Sequence, residues 1–155
     1  MAQQATLRIL TILLVYLVCS CAKGQSGAPA ELIKNGSFEE ITRCPNGYTS
    51  KSGKLTQVQF WKQATKGTAD VFSKCSRNFD SKVPFNSAGF QEPYESMGYV
   101  GLLFSKKGSR EYVAQELVHA FVKDSTYQIE LWVSLADNSR WASDSVGIGL
   151  TAAPP

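Results

Sequence analysis

Few side chains in this sequence could do chemistry. There is one histidine, His119, with four cysteines and thirteen carboxylates. The carboxylates that fall close together are Glu39-Glu40, Glu92 with Glu95, and Glu111 with Glu116. Glycoside hydrolysis needs two carboxyl groups held across a sugar ring at a defined gap. Sequence spacing sets no such gap for any of these pairs, and each is also a common surface pattern, so no acid/base role is assigned. His119 has no evident triad partner. A zinc site needs more than one imidazole or a Cys-x-x-Cys pair, and neither is present. Gly98-x-x-Gly101 is not followed by a helix N-terminus and is no phosphate loop. The expectation is a protein without enzymatic activity.

The cysteines divide into two pairs. Cys19 and Cys21 lie in an N-terminal leader, and Cys44 and Cys75 lie in the body. Arg8 followed by the ten apolar positions Ile9 to Val18 reads as an export signal, since the run is too short for a stable membrane anchor. Two processing routes fit residues 1–24. Val18-Cys19-Ser20-Cys21 resembles a bacterial lipobox, which would make Cys21 the lipidated residue. Ala22-Lys23-Gly24 before Gln25 resembles an ordinary cleavage site. A multiply acylated Cys21 would hold the protein on outer-membrane lipid, with residues 25–31 as tether. In an exported body, the two remaining cysteines suggest one disulfide, Cys44–Cys75. Closing such a loop is worth about 3 to 4 kcal/mol in the chain-entropy treatment.

Charge excludes one class of partner. The chain carries 16 Lys and Arg against 13 Asp and Glu. Two of the cations, Arg8 and Lys23, belong to the leader, so the body has a net charge of +1. That balance gives no electrostatic case for nucleic acid. The densest basic spot, Lys106-Lys107 beside Gly108 and Arg110, reads as a solvated turn.

Around these residues the pattern is that of strands. Tyr127, Ile129, Leu131, Val133 and Leu135 alternate with Gln128, Glu130, Trp132 and Ser134, which predicts a strand with one buried face. Ala136-Asp137-Asn138-Ser139 then predicts a turn, and Val146–Leu150 a second core strand. Val58–Trp61 and Ala69–Phe72 read as short extended pieces. Tyr99–Phe104 is apolar on both faces, as in a central strand covered on both sides. Residues 73–97 form a long irregular stretch whose aromatics, Phe79, Phe85, Phe90 and Tyr94, either pin it to the domain or line a groove; pinning is the expectation. Within Arg110–Lys123, helical spacing of Val113, Leu117, Val118 and Phe121 competes with a strand from about Tyr112 to Leu117.

Several motifs occur in a fixed order: Asn35-Gly36-Ser37-Phe38-Glu39, Cys44-Pro45-Asn46-Gly47, Phe60-Trp61, Gly67 to Phe72 with Cys75, Gly89-Phe90-Gln91-Glu92, Arg110-Glu111-Tyr112, and Val133 to Asp137. As an ordered set they resemble the N-terminal galactose-binding-like module of secreted, OmpA-associated surface proteins of the Bacteroidota type. The resemblance covers about residues 32 to 151. It implies an all-β jelly-roll β-sandwich over residues 32–155, and it selects the strand reading for Tyr112–Leu117. It also implies a structural calcium near the first strand, where Glu39 matches by position. Related modules continue with further strands, so the sandwich is expected to be incomplete at its C-terminus.

Binding is the better functional class. Sugar recognition by a sandwich uses aromatic faces with a few polar groups. Trp132 lies opposite the apolar row, and Trp141 lies in the polar loop after it; both are ligand-binding candidates. Trp61 is a third, although a core anchor is its commoner role. The expectation is an exported module at the outer membrane, cell surface or outside the cell, attached to or binding envelope glycans. The alternatives are a structural envelope module without a small ligand and a fragment of a secreted hydrolase.

Overall fold

The first motif shows how local chemistry starts the fold. In a computed structural model that describes residues 31–50, 55–105, 110–143 and 145–153, Asn35 adopts a positive φ of 51°, a conformation that asparagine tolerates better than most residues. Its side chain replaces missing backbone partners. Oδ1 accepts from the Glu40 N–H at 2.9 Å, and Nδ2 donates to the carbonyls of Glu40 and Gln59 at 3.0 and 3.2 Å. The Asn35 carbonyl accepts from the Trp61 indole N–H at 2.9 Å. A turn is therefore present here, with left-handed residues at Asn35 and Phe38 and not at Gly36. It brings Phe38 onto Trp61, with ring centroids 4.9 Å apart.

The chain divides between Glu31 and Leu32, and the strands and core belong to the unit Leu32–Pro155. Cys19, Cys21 and the rest of residues 1–24 lie outside the described residues, as do residues 25–30 of the tether and the Lys106-Lys107 turn.

Among the described residues six short strands appear: β1 Lys62–Gln63, β2 Asp70–Ser73, β3 Phe85–Asn86, β4 Gly89–Phe90, β5 Gly98–Gly101 and β6 Val113–Ala114. They pair antiparallel as β1 with β6, β2 with β5, and β3 with β4. Among the described residues there is no helix. The described residues are thus β-only, and the competition at Arg110–Lys123 resolves to the short strand β6, with Lys62 opposite Ala114.

The longest ladder sets Val71 against Val100 and Phe72 against Tyr99, β-formers that fit a pleated, half-buried surface. At Gly98 a Cβ would run into the Phe72 carbonyl oxygen, so only glycine allows this close approach. Phe72 and Tyr99 stack at 5.0 Å. The core consists of Leu55, Val58, Ala69 and Val71, with Phe38, Ile41, Trp61, Val100, Leu102 and Val113 packed against it. Each fully buried Val or Leu contributes about 1.5 to 3 kcal/mol.

The Cys44–Cys75 disulfide is formed, with Cα atoms 5.7 Å apart across 31 residues. It ties the first long connection to the end of β2. Buried hydroxyls finish this corner: the Ser76 and Ser81 hydroxyls are 2.9 Å apart, and the Gly47 N–H donates to Ser81 Oγ at 2.9 Å.

Four expectations are corrected. Tyr127 to Leu135 joins no ladder among the described residues, and its apolar row is exposed, with Ile129 at 51%, Leu131 at 55% and Val133 at 66%. Every described residue from Val118 onward is exposed, so Val146–Leu150 is not a core strand either. Alternation makes a segment able to bury one face, but burial also needs a neighbouring backbone and a covering layer. The core that forms draws on the residues from Phe38 to Val113 instead. In the Tyr99–Phe104 stretch, Tyr99 to Leu102 are only half-buried, and Leu103 and Phe104 are exposed, so no layer covers both faces. Phe79, Phe85, Phe90 and Tyr94 stand largely in solvent and do not pin the 73–97 stretch. That stretch is organised instead by the β3–β4 hairpin, which sets Phe85 opposite Phe90.

Candidate functional site

Polar capping of one hairpin positions the aromatic side chains around it. At the β3–β4 turn, Gly89 has φ 130°, a region open in practice to glycine alone. The predicted 136–139 turn is present, closed by Ser139 N–H donating to the Ala136 carbonyl at 2.9 Å. It docks on the hairpin. Asp137 Oδ2 accepts from the Phe90 N–H at 2.8 Å. Asn138 donates through its backbone N–H to the Ala88 carbonyl at 3.1 Å and through Nδ2 to the Ser87 carbonyl at 2.8 Å. A Cβ on Gly89 would lie 2.6 Å from Asp137 Cβ, so the close approach again requires glycine.

This docking brings two distant aromatics together. Tyr94 follows β4 and Trp132 precedes the docked turn. Their rings stack with centroids 3.9 Å apart and planes 15° from parallel. Tyr94 is 62% exposed and Trp132 64% exposed. Each ring covers one face of the other and leaves its outer face to solvent. Gln128 and Glu130 precede Trp132 at two-residue intervals along the chain, and Gln128 Nε2 donates to Glu130 Oε1 at 2.6 Å. An open aromatic face can stack on the apolar side of a sugar ring, and amide and carboxylate groups can hydrogen-bond its hydroxyls.

The other predicted site residues lie elsewhere. Trp61 is half-buried on the core, with its N–H committed to Asn35. Trp141 is 65% exposed in the loop after the docked turn, where its carbonyl accepts from the Ser139 hydroxyl at 2.6 Å. Glu39 is exposed, and the described residues contain no group of three or more His, Cys, Asp or Glu side chains able to hold a metal. No acidic cluster for calcium therefore forms at Glu39 among them. His119 is exposed, its Nδ1 2.9 Å from the Ala120 carbonyl.

The pair Glu111 and Glu116 is split. Glu116 lines a cleft of about 320 Å3 with Lys34, Phe60, Leu117 and Val118, where Lys34 Nζ lies 5.1 Å from the Phe60 ring centroid. Glu111 is buried and fully engaged. The Thr68 N–H and hydroxyl donate to Oε1 at 2.7 and 2.9 Å, and the Leu103 N–H donates to Oε2 at 2.7 Å. This carboxylate braces three segments. Asp70 accepts the Thr49 N–H on Oδ1 at 2.6 Å. Burial raises the Asp70 carboxyl above its ordinary range; the Thr49 hydrogen bonds oppose that shift, and the nearby charge of Glu111 adds to it.

Sequence reasoning singled out Trp132 but not its partner. Tyr94 stands out in the sequence only as one of the aromatics of an irregular stretch, because no local pattern encodes a contact between segments so far apart in the chain. No protein-family model, curated protein or solved structure matches the chain.

Proposed function

We propose that this protein is a non-catalytic, exported envelope module that binds glycans through the stacked pair Tyr94–Trp132. The observation that supports the reading most strongly is the exposure of both rings in a stacked pair. Two large aromatic faces left in water are costly to maintain without a use. The pair is held by a specific polar dock at Asp137 and Asn138, so its geometry is set before a ligand arrives. Preorganisation of this kind reduces the entropy lost on binding.

The jelly-roll sandwich belongs to this proposal as the finer form of the β-only fold. The address rests on the leader, with lipid carried on Cys21 or cleavage before Gln25 as the two routes. Metabolic labelling with a palmitate analogue separates them: label on Cys21 supports the anchored form, and its absence removes it.

A glycan array probed with the intact protein tests the binding reading. Saccharide binding that falls about tenfold or more in Trp132→Ala, with the Cys44–Cys75 disulfide still formed, is the expected result. Absence of binding to every saccharide would favour a structural module without a small ligand.

A further inference from the structure

The stretch from Tyr127 to Leu135 combines two features. Its apolar row is exposed, and no backbone N–H or carbonyl within it has a hydrogen-bond partner among the described residues. A segment in this state can pair edge to edge with another strand. Its sequence also constrains which strand. In antiparallel pairing with an identical segment, centred on Leu131, Leu131 meets Leu131, Ile129 meets Val133 and Tyr127 meets Leu135. On the opposite face Glu130 meets Trp132 and Gln128 meets Ser134. Every apolar residue faces an apolar one, and the single charge, Glu130, never faces its own copy. Directly opposed like charges would destabilise such a pair, whereas aromatic and β-branched pairs add to it. Shifting the partner by two residues places Glu130 opposite its own copy in one direction and opposite Ser134 in the other, and either shift leaves one end residue of each segment without an apolar counterpart, so the centred register is the best matched.

We infer that Tyr127–Leu135 is a self-pairing strand that joins two copies of this chain antiparallel about a two-fold axis at Leu131. The same edge serves both copies, so the interface closes at a dimer. The backbone groups left unpaired in one copy become the ladder of the pair. In such a strand the Trp132 side chain would project from a face and not from the paired edge, so pairing and ligand stacking do not compete. This inference stands independently of glycan binding.

The test is a charge exchange at the axis, read by analytical ultracentrifugation of the full chain. The wild type is expected to sediment as a concentration-dependent dimer. Leu131→Lys alone and Leu131→Glu alone each set like charges opposite each other and are expected to sediment as monomers. An equimolar mixture of the two variants is expected to recover the dimer. Leu131 is exposed and outside the core, so folding is preserved, and the disulfide with an unchanged circular dichroism spectrum verifies it. A wild type that remains monomeric, a series of ever larger species, or a mixture that fails to recover the dimer would each overturn the inference.

Discussion

Glu111 and Thr68, 43 residues apart in the chain, meet through two hydrogen bonds on a single carboxylate oxygen. The other oxygen holds the Leu103 N–H. One buried side chain thereby fixes the segments before β2, after β5 and before β6 relative to one another.

Glu111→Gln tests that brace. The amide keeps one acceptor for Thr68 but turns an N–H2 group toward the Leu103 N–H, leaving a buried donor unmatched. A loss of about 1 to 3 kcal/mol is expected, measured as a lower urea midpoint at unchanged slope. An unchanged midpoint would show that water satisfies these groups equally well.

Asp70 gives the fold a pH dependence of definite sign. Burial, with a smaller contribution from Glu111, raises its native pKa above the ordinary 3.8. The folded state therefore binds the proton more tightly than the unfolded chain does. The stability contributed by this group is present at low pH and is lost as pH rises from the ordinary value through the raised one. Asp70→Asn keeps an acceptor for the Thr49 N–H and removes the charge. It is expected to flatten this part of the profile and to raise stability at neutral pH, as followed by urea melts from acid to neutral pH. A steeper profile in the variant would refute the assignment.

The disulfide acts mainly on the unfolded chain. Closing 31 residues limits the denatured ensemble, and Cys44→Ser with Cys75→Ser is expected to cost about 3 to 4 kcal/mol. Denaturant melts of the double variant and the oxidised protein measure the difference.

Gly89 separates positioning from contact at the aromatic pair. Gly89→Ala puts a methyl group into Asp137 at a strained φ and touches neither ring. It is expected to loosen the docked turn and weaken saccharide binding several-fold, while the Glu111 brace and the β2–β5 ladder remain. Hydrogen exchange at the Phe90 amide, whose partner is Asp137, should accelerate in the same variant.

The sequence carried the local chemistry well. Ala136-Asp137-Asn138-Ser139 announces a turn, two body cysteines announce a disulfide, and Ala69–Phe72 announces an extended piece. Each of these is determined by a residue's own conformational preference or by a covalent bond. The misread elements depend on what lies across from them. Tyr127–Leu135 has a strand's pattern without a partner backbone, and Tyr99–Phe104 has a covered strand's composition without two covering layers. Glu111 looked like half of a surface pair because nothing in Arg110-Glu111-Tyr112 reveals that Thr68 and Leu103 wait for its oxygens. At the candidate site, Trp132 was legible as an aromatic on the polar row. Tyr94 was not, because their stacking follows from the Asp137 dock on the β3–β4 turn.

Saturation-transfer NMR with a panel of envelope oligosaccharides tests the binding surface most directly, with irradiation of the protein's aromatic resonances. The expected result is transfer to the C–H face of a bound sugar ring, diminished by Tyr94→Ala and by Trp132→Ala but retained in Trp141→Ala. Transfer that is unaffected by the first two substitutions, or no transfer to any saccharide, would contradict a glycan site at Tyr94–Trp132.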